Sequence, residues 1–223
     1  MILTKRAEAA VVTAQPRVSD VAYDKLREMI LDLRLPPGSV VNEQELAAML
    51  ALGRMPVREA IARLTSDRFI TVYPRRSTVV TAISLDDTLD IFDAREAIEC
   101  GVAHIAARRA LPGDLAALRG LVEAADRARE GTDAEAYLRD DHEIHAFLVH
   151  MVRNPLLQDA ADRLLLHNLR FWRSYWASRP AQHATMISHG ELLAALEAHD
   201  PGRAEQAMRE HIAASRQLLQ ASF

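Results

Sequence analysis

About one third of the way along, the hydrophobic period of this chain changes and then changes back. Phe69-Ile70-Thr71-Val72-Tyr73 and Ser77-Thr78-Val79-Val80-Thr81 are β-branched and aromatic runs either side of Pro74-Arg75-Arg76. Such residues favour extended backbone, and two short runs around a proline-led break read as a β-hairpin. A lone hairpin is marginal in water, so it must lean on helices. The expected fold is mainly α. Three short helices and the hairpin form a winged helix-turn-helix at the N-terminal end, and an antiparallel six-helix bundle follows.

The helices are placed by spacing and punctuation. Residues 1–17 lack periodicity and read as a flexible arm. A helix is expected from near Ser19-Asp20, because Ala22, Leu26, Met29, Ile30 and Leu33 share one helical face; Pro36-Pro37-Gly38 stops it. Asn42 is a good N-cap, with Glu45 three residues on, and the short helix after it should bury Leu46, Met49 and Leu50. Gly53 makes a turn. Pro56 then sits in the first turn of a third helix whose apolar face is Val57, Ala60, Ile61 and Leu64. Beyond residue 83, helices are expected over 84–109, 113–130, 133–152, 155–178, 181–199 and 201–221. The implied domains are 18–83, which holds the hairpin, and the all-helical 84–223.

Composition narrows the setting. The formal net charge is −4. Residues 1–83 carry 12 Lys/Arg against 9 Asp/Glu, whereas the remainder carries 15 against 22. A basic first third suits a phosphate-facing end, though ordinary surface scatter gives the same imbalance. No run of eighteen apolar residues occurs, so no membrane span is expected. The first residues lack the apolar segment of a signal peptide. Cys100 stands alone, which excludes an internal disulfide and fits a reducing cytoplasm.

The third helix and the hairpin tip carry the recognition chemistry. Arg54 and Arg58 are four apart, on one face at the start of the helix expected to enter the major groove. Arginine suits bidentate contact with guanine and clamps phosphate. Arg75 and Arg76 at the wing tip are placed for phosphates or the minor groove. Each alone is as readily a solvated surface residue; the four together favour DNA. From Leu26 through Val80 the sequence resembles the DNA-binding domain of the GntR superfamily. The matching pieces are Leu35-Pro36-Pro37-Gly38, Asn42-Glu43-Gln44-Glu45-Leu46-Ala47 and Arg54-Met55-Pro56-Val57-Arg58-Glu59-Ala60. The resemblance implies operator contacts from Arg54 and Arg58, with Gln44 and Met55 at neighbouring positions. This chain departs from the usual pattern, which has Ser at Gly53, Thr at Met55, Arg at Gln44, and glycines at Arg75 and Ser77.

The second half offers a constellation of another kind. Asp141 and His145 are four apart on one expected helix, His189 falls on a later helix and His211 on the last. One carboxylate and three imidazoles from three helices suit Zn²⁺, with Ni²⁺ or Mn²⁺ as alternatives. Spacing alone does not separate His145 from His142 or His150 except by helical phase. His104, His167, His183 and His199 read as structural or solvated. Residues 85–223 resemble the FCD domain of FadR-type regulators, in its shorter, VanR-like form. Arg95 with Glu99, Asp141-His142-Glu143-Ile144-His145 with Asn154-Pro155-Leu156-Leu157, and Ser188-His189-Gly190-Glu191-Leu192-Leu193 with Met208-Arg209-Glu210-His211 carry that resemblance. It implies Asp141, His145, His189 and His211 as metal ligands. Ser188 replaces a glutamate common before the third ligand. The resemblance further implies that Arg95 holds the carboxylate of a small organic acid; an internal Arg95–Glu99 helix pair is the other reading. Trp172, Tyr175 and Trp176 read as core or dimer packing.

The expected function is a metabolite-responsive, homodimeric transcriptional repressor reading double-stranded operator DNA. A metal-dependent, hydrolase-like enzyme is the alternative, and a helical module binding nothing is a third.

Overall fold

The first helix ends before its apolar period does. In the computed structural model, which describes residues 16–179 and 186–220, α1 spans Val18–Leu31. Leu33 adopts a left-handed φ of 59°, and the Leu35 N–H donates to the Met29 carbonyl at 2.9 Å. This Schellman-like closure stops the helix, rather than Pro36. Next, α2 (Glu43–Leu50) opens on Asn42, whose side chain accepts from the Gln44 and Glu45 N–H groups. Leu46 and Ala47 are buried, but Met49 is 62% exposed, contrary to expectation. In a two-turn helix only the Leu46–Leu50 edge and Ala47 face the neighbouring helix. That neighbour, α3 (Arg54–Ser66), packs on α1 through Val57, Ala60 and Leu64 against Leu26 and Ile30, all fully buried.

The hairpin pairs β1 (Ile70–Tyr73) with β2 (Ser77–Val80) in antiparallel register from Ile70↔Val80 to Tyr73↔Ser77. It is anchored to the α1–α2 connection, where Gly38 N–H donates to Val80 O and Val80 N–H to Ser39 O. The winged helix-turn-helix is therefore present. At the wing tip Arg75 has φ 61°, which explains why glycine suits this position. Arg75→Gly is expected to leave stability unchanged or raise it by up to ~1 kcal/mol. If Arg75 touches DNA, the same change weakens operator affinity. Thermal melts and DNA anisotropy on one preparation separate the two effects.

After Ser84 all the described elements are helical. They are α4 (Leu85–Arg109), α5 (Pro112–Glu130), α6 (Ala134–Met151), α7 (Pro155–Ser178), α8 (Gly190–Glu197) and α9 (Pro201–Gln220). Ser84 and Asp87 form a reciprocal capping box that starts α4. That helix runs through the bundle and packs against α6, α7, α8 and α9. Six helices among the described residues agrees with the expected count, but within the helix expected over 181–199 residues 186–189 are not helical and α8 begins at Gly190. Two contacts hold this approach open. The Tyr137 hydroxyl accepts from Ile187 N–H at 3.0 Å and donates to Ile187 O at 2.8 Å. Ser188 Oγ accepts from Gly190 N–H at 3.2 Å. Both tie up groups that a continuous helix would use. His183 and most of the expected N-terminal arm lie outside the described residues.

Two hydrophobic clusters result. One gathers α1–α3 and the hairpin, and the other gathers the six later helices. They meet along α7. The His167 ring stacks on Phe69 at 4.2 Å, and its Nε2–H donates to Asp67 O at 2.8 Å. Arg173 reaches Asp32 of the first cluster and Glu135 of the second. Among the described residues no helix is long and apolar enough to cross a membrane.

Candidate metal centre and nucleic-acid interface

Val57, Ala60 and Ile61 turn one side of α3 into the core, which leaves Arg54, Met55 and Arg58 on the outside at its N-terminus. Arg58 donates from Nε and Nη2 to Glu43 Oε2 at 3.1 and 3.0 Å, which ties the start of α3 to the start of α2. The adjacent Gln44 is exposed. An exposed pair of this kind contributes little to stability, so the guanidinium can exchange Glu43 for a phosphate or a base edge. Arg75 and Arg76 are exposed at the wing tip. All six side chains expected at DNA thus face outward.

The second site is buried. Asp141 and His145 lie one turn apart on α6, as their spacing required, and His211 comes from α9. His189 is not within a helix: it is the N-cap residue of α8. Asp141 Oδ1 lies 3.3 Å from His189 Nε2, 3.9 Å from His145 Nε2 and 4.0 Å from His211 Nε2. The His145 and His189 Nε2 atoms are 3.3 Å apart. One donor atom from each residue falls within 4.8 Å of all the others, and all four residues are buried. Donors bound tetrahedrally at ~2.0–2.1 Å sit about 3.3 Å apart. The cluster therefore fits a metal ion after a small contraction.

Protonation states agree with that fit. Burial pulls His189 down to about 4, although Asp141 acts in the opposite direction. Burial, reinforced by His189, His145 and Arg95, holds His211 well below the usual imidazole range. Both rings are neutral near pH 7 and have lone pairs to give. Glu99 Oε2 lies 2.5 Å from His145 Nδ1, an ion-pair contact without the alignment of a hydrogen bond. The His145 Nε2 faces the cluster, 3.3 Å from His189 Nε2. His142 is only half-buried and His150 is exposed. His104 pairs with Glu205, and His199 bonds the Ala107 carbonyl.

Arg95 is 1% exposed. It donates from Nε to Glu99 Oε1 at 2.6 Å and from Nη1 to Asn168 Oδ1 at 3.0 Å, and Nη2 approaches His145 Nε2 at 3.3 Å. The helix-pair reading and the ligand-site reading of Arg95 are thus compatible. Burial by itself would keep Glu99 protonated, but Arg95 and His145 outweigh it and hold the carboxyl at about 2. Beside this network lies a cavity of about 20 Å³, reached by Arg95, Tyr137, Asp141, Trp172, Trp176 and His211. That is room for about one water. Trp172 and Trp176 pack in the core, as expected, but they also wall this cavity.

Three contributors escaped sequence reading. Spacing makes Glu99 a partner for Arg95 alone, yet its Oε2 also lies 2.5 Å from His145 Nδ1. Tyr137, whose hydroxyl is 3.3 Å from Asp141 Oδ1, lies one turn before Asp141 on the same helical face; that phase was its only signal. Asn168 is a buried polar residue on α7, and nothing in its spacing marks it as a partner for Arg95. Ser188 does not stand in for the absent glutamate, since its hydroxyl faces Asp126 and Gly190 N–H.

Comparison with known proteins places this geometry in a family. Residues 18–80 match the bacterial regulatory proteins of the gntR family, and residues 90–214 match the FCD domain. The Nta operon transcriptional regulator of Aminobacter aminovorans is 30% identical over 167 residues, covering 74% of this chain and 79% of that protein. The HTH-type transcriptional repressor RspR of Escherichia coli is 26% identical over 197 residues, covering 87% and 86%. Among solved structures, E. coli McbR/YncC shares the fold with a TM-score of 0.80 at 23% identity, covering 94% of this chain and all of that one. The Nta operon regulator and RspR are named as transcriptional regulators, which leaves the hydrolase reading without support. The chain belongs to the GntR family of bacterial regulatory proteins, as a transcriptional regulator that joins a winged helix-turn-helix to an FCD domain.

Proposed function

We propose that this regulator is a cytoplasmic, homodimeric, metabolite-responsive repressor. Its helical domain holds one divalent metal ion, Zn²⁺ foremost, on Asp141, His145, His189 and His211. The observation that carries this reading is the convergence of those four buried donors beside the buried Arg95. The ion would supply a positive charge to which a carboxylate oxygen can bind. Arg95 would take the other oxygen, with Glu99 and Asn168 holding its guanidinium in place. A small organic acid larger than water requires the cavity to widen, which makes the effector a selector of one conformer over another. Repression is carried over from the name of RspR as part of the proposal.

At the DNA, Gln44, Arg54, Met55, Arg58, Arg75 and Arg76 form the proposed contact surface, with two copies reading a palindromic site. Arg54→Ala is expected to weaken binding to DNA upstream of the regulator's own gene by about tenfold or more, without changing its melting temperature. Fluorescence anisotropy at two salt concentrations measures this. Binding that is insensitive to salt, or equal on unrelated DNA, would overturn the reading. Light scattering tests the dimer, and a promoter–reporter fusion tests the sign of regulation.

A further inference from the structure

A cavity of about 610 Å³ lies where the two hydrophobic clusters meet, and it shares no lining residue with the histidine site. Its volume falls within the range of small-molecule pockets. Ile70 and Val72 of β1 form one wall. Ile83 of the connecting segment, Ile91 of α4, and Leu164 and Phe171 of α7 complete the apolar lining. Into this setting comes Arg170, 3% exposed. Its Nη2 donates to the Thr81 carbonyl, but its buried Nε has no hydrogen-bond partner. No carboxylate among the described residues pairs with it. Burial lowers the guanidinium to about 10, and only Asp87 acts in the opposite direction. The Asp87 carboxylate is itself engaged by the Ser84 cap. A buried cation without a counter-ion is strongly unfavourable, and an orphaned donor adds to that. Arg68 contributes a second, exposed guanidinium to the same lining.

We propose that this interdomain cavity binds a small organic monoanion with an apolar body, its carboxylate seated on Arg170. The class follows from the lining. The apolar walls take a hydrocarbon body, while Asp87 and Asp90, which also line the cavity, disfavour a polyanion such as a nucleotide. Such a ligand touches β1 and α7 at once, so its binding fixes the wing relative to the helical domain. The site stands whether or not the histidine cluster holds a metal.

The test uses the full-length, metal-loaded protein with 4-phenylbutyrate and octanoate as probes, followed by isothermal titration calorimetry. 4-Phenylbutanamide is the uncharged control. Loss of a charge-assisted pair is expected to weaken carboxylate binding by about tenfold or more in Arg170→Met, and the amide should bind comparably weakly to the wild type. Ala94→Phe fills the cavity, leaves Arg170 in place and should abolish binding; it serves if Arg170→Met does not fold. His189→Ala should leave the affinity within about twofold. The proposal is overturned if neither acid binds at millimolar concentration, if the amide binds as tightly as the acid, or if His189→Ala removes binding while Ala94→Phe does not. That last pattern would assign the acid to the metal site instead.

Discussion

Glu99→Ala is expected to destabilise the helical domain by about 3–5 kcal/mol, because it leaves Arg95 charged and buried without its counter-ion. The two side chains are 1% and 2% exposed, and the pair spans 2.6 Å. Few other single changes here combine so complete a burial with so direct a charge. Metal affinity should fall as well, by about 10–100-fold, since the Glu99 carboxylate lies against His145 Nδ1 behind the ligand ring. The double variant Arg95→Met/Glu99→Met separates the causes. Removing both charges should recover most of the stability but not the metal affinity. Chemical denaturation of metal-stripped and metal-loaded protein reads both quantities. A Glu99→Ala protein within ~1 kcal/mol of wild type would show that water or another anion reaches Arg95.

His189→Ala should abolish stoichiometric metal. It removes one of four donors outright, a larger loss than the 10–100-fold attached to supporting residues. Elemental analysis should find about one ion per wild-type chain and little in the variant. Bound metal also stabilises the fold by mass action, about 4 kcal/mol when free metal is 1,000-fold above Kd. Chelation should therefore bring the wild-type melting temperature down to that of His189→Ala and leave the variant unmoved. Identical wild-type melts with and without chelator would sink the metal reading.

Much of this molecule is local, and local features are legible along the chain. The caps at Asn42 and Ser84, Pro56 in a first helical turn, and the β-branched runs of the hairpin act over a few residues, through local backbone preferences fixed by chemistry. Asp141 and His145 share a helical face by geometry alone. Where local preference met a competing contact, the reading failed. Leu33 turns left-handed so that Leu35 can close α1, and Met49 lies on an edge that no helix covers. Residues 186–189, expected to be helical, are not, because Tyr137, fifty residues earlier, holds Ile187.

Arg75 and Arg170 mark the division between what neighbours along the chain decide and what distant residues decide. A proline-led tip between two β-branched runs already implies a tight turn at Arg75, because turn dihedrals depend on adjacent residues. Along the chain Arg170 is one arginine in an amphipathic helix, with no signal of burial. It becomes a buried cation with no carboxylate partner among the described residues only because α7 lies under the wing and the Thr81 carbonyl meets it. The hairpin was legible from its β-branched and aromatic runs either side of Pro74-Arg75-Arg76. That its inner face would wall a cavity, rather than close against the helical domain, depended on long-range packing that no local pattern encodes.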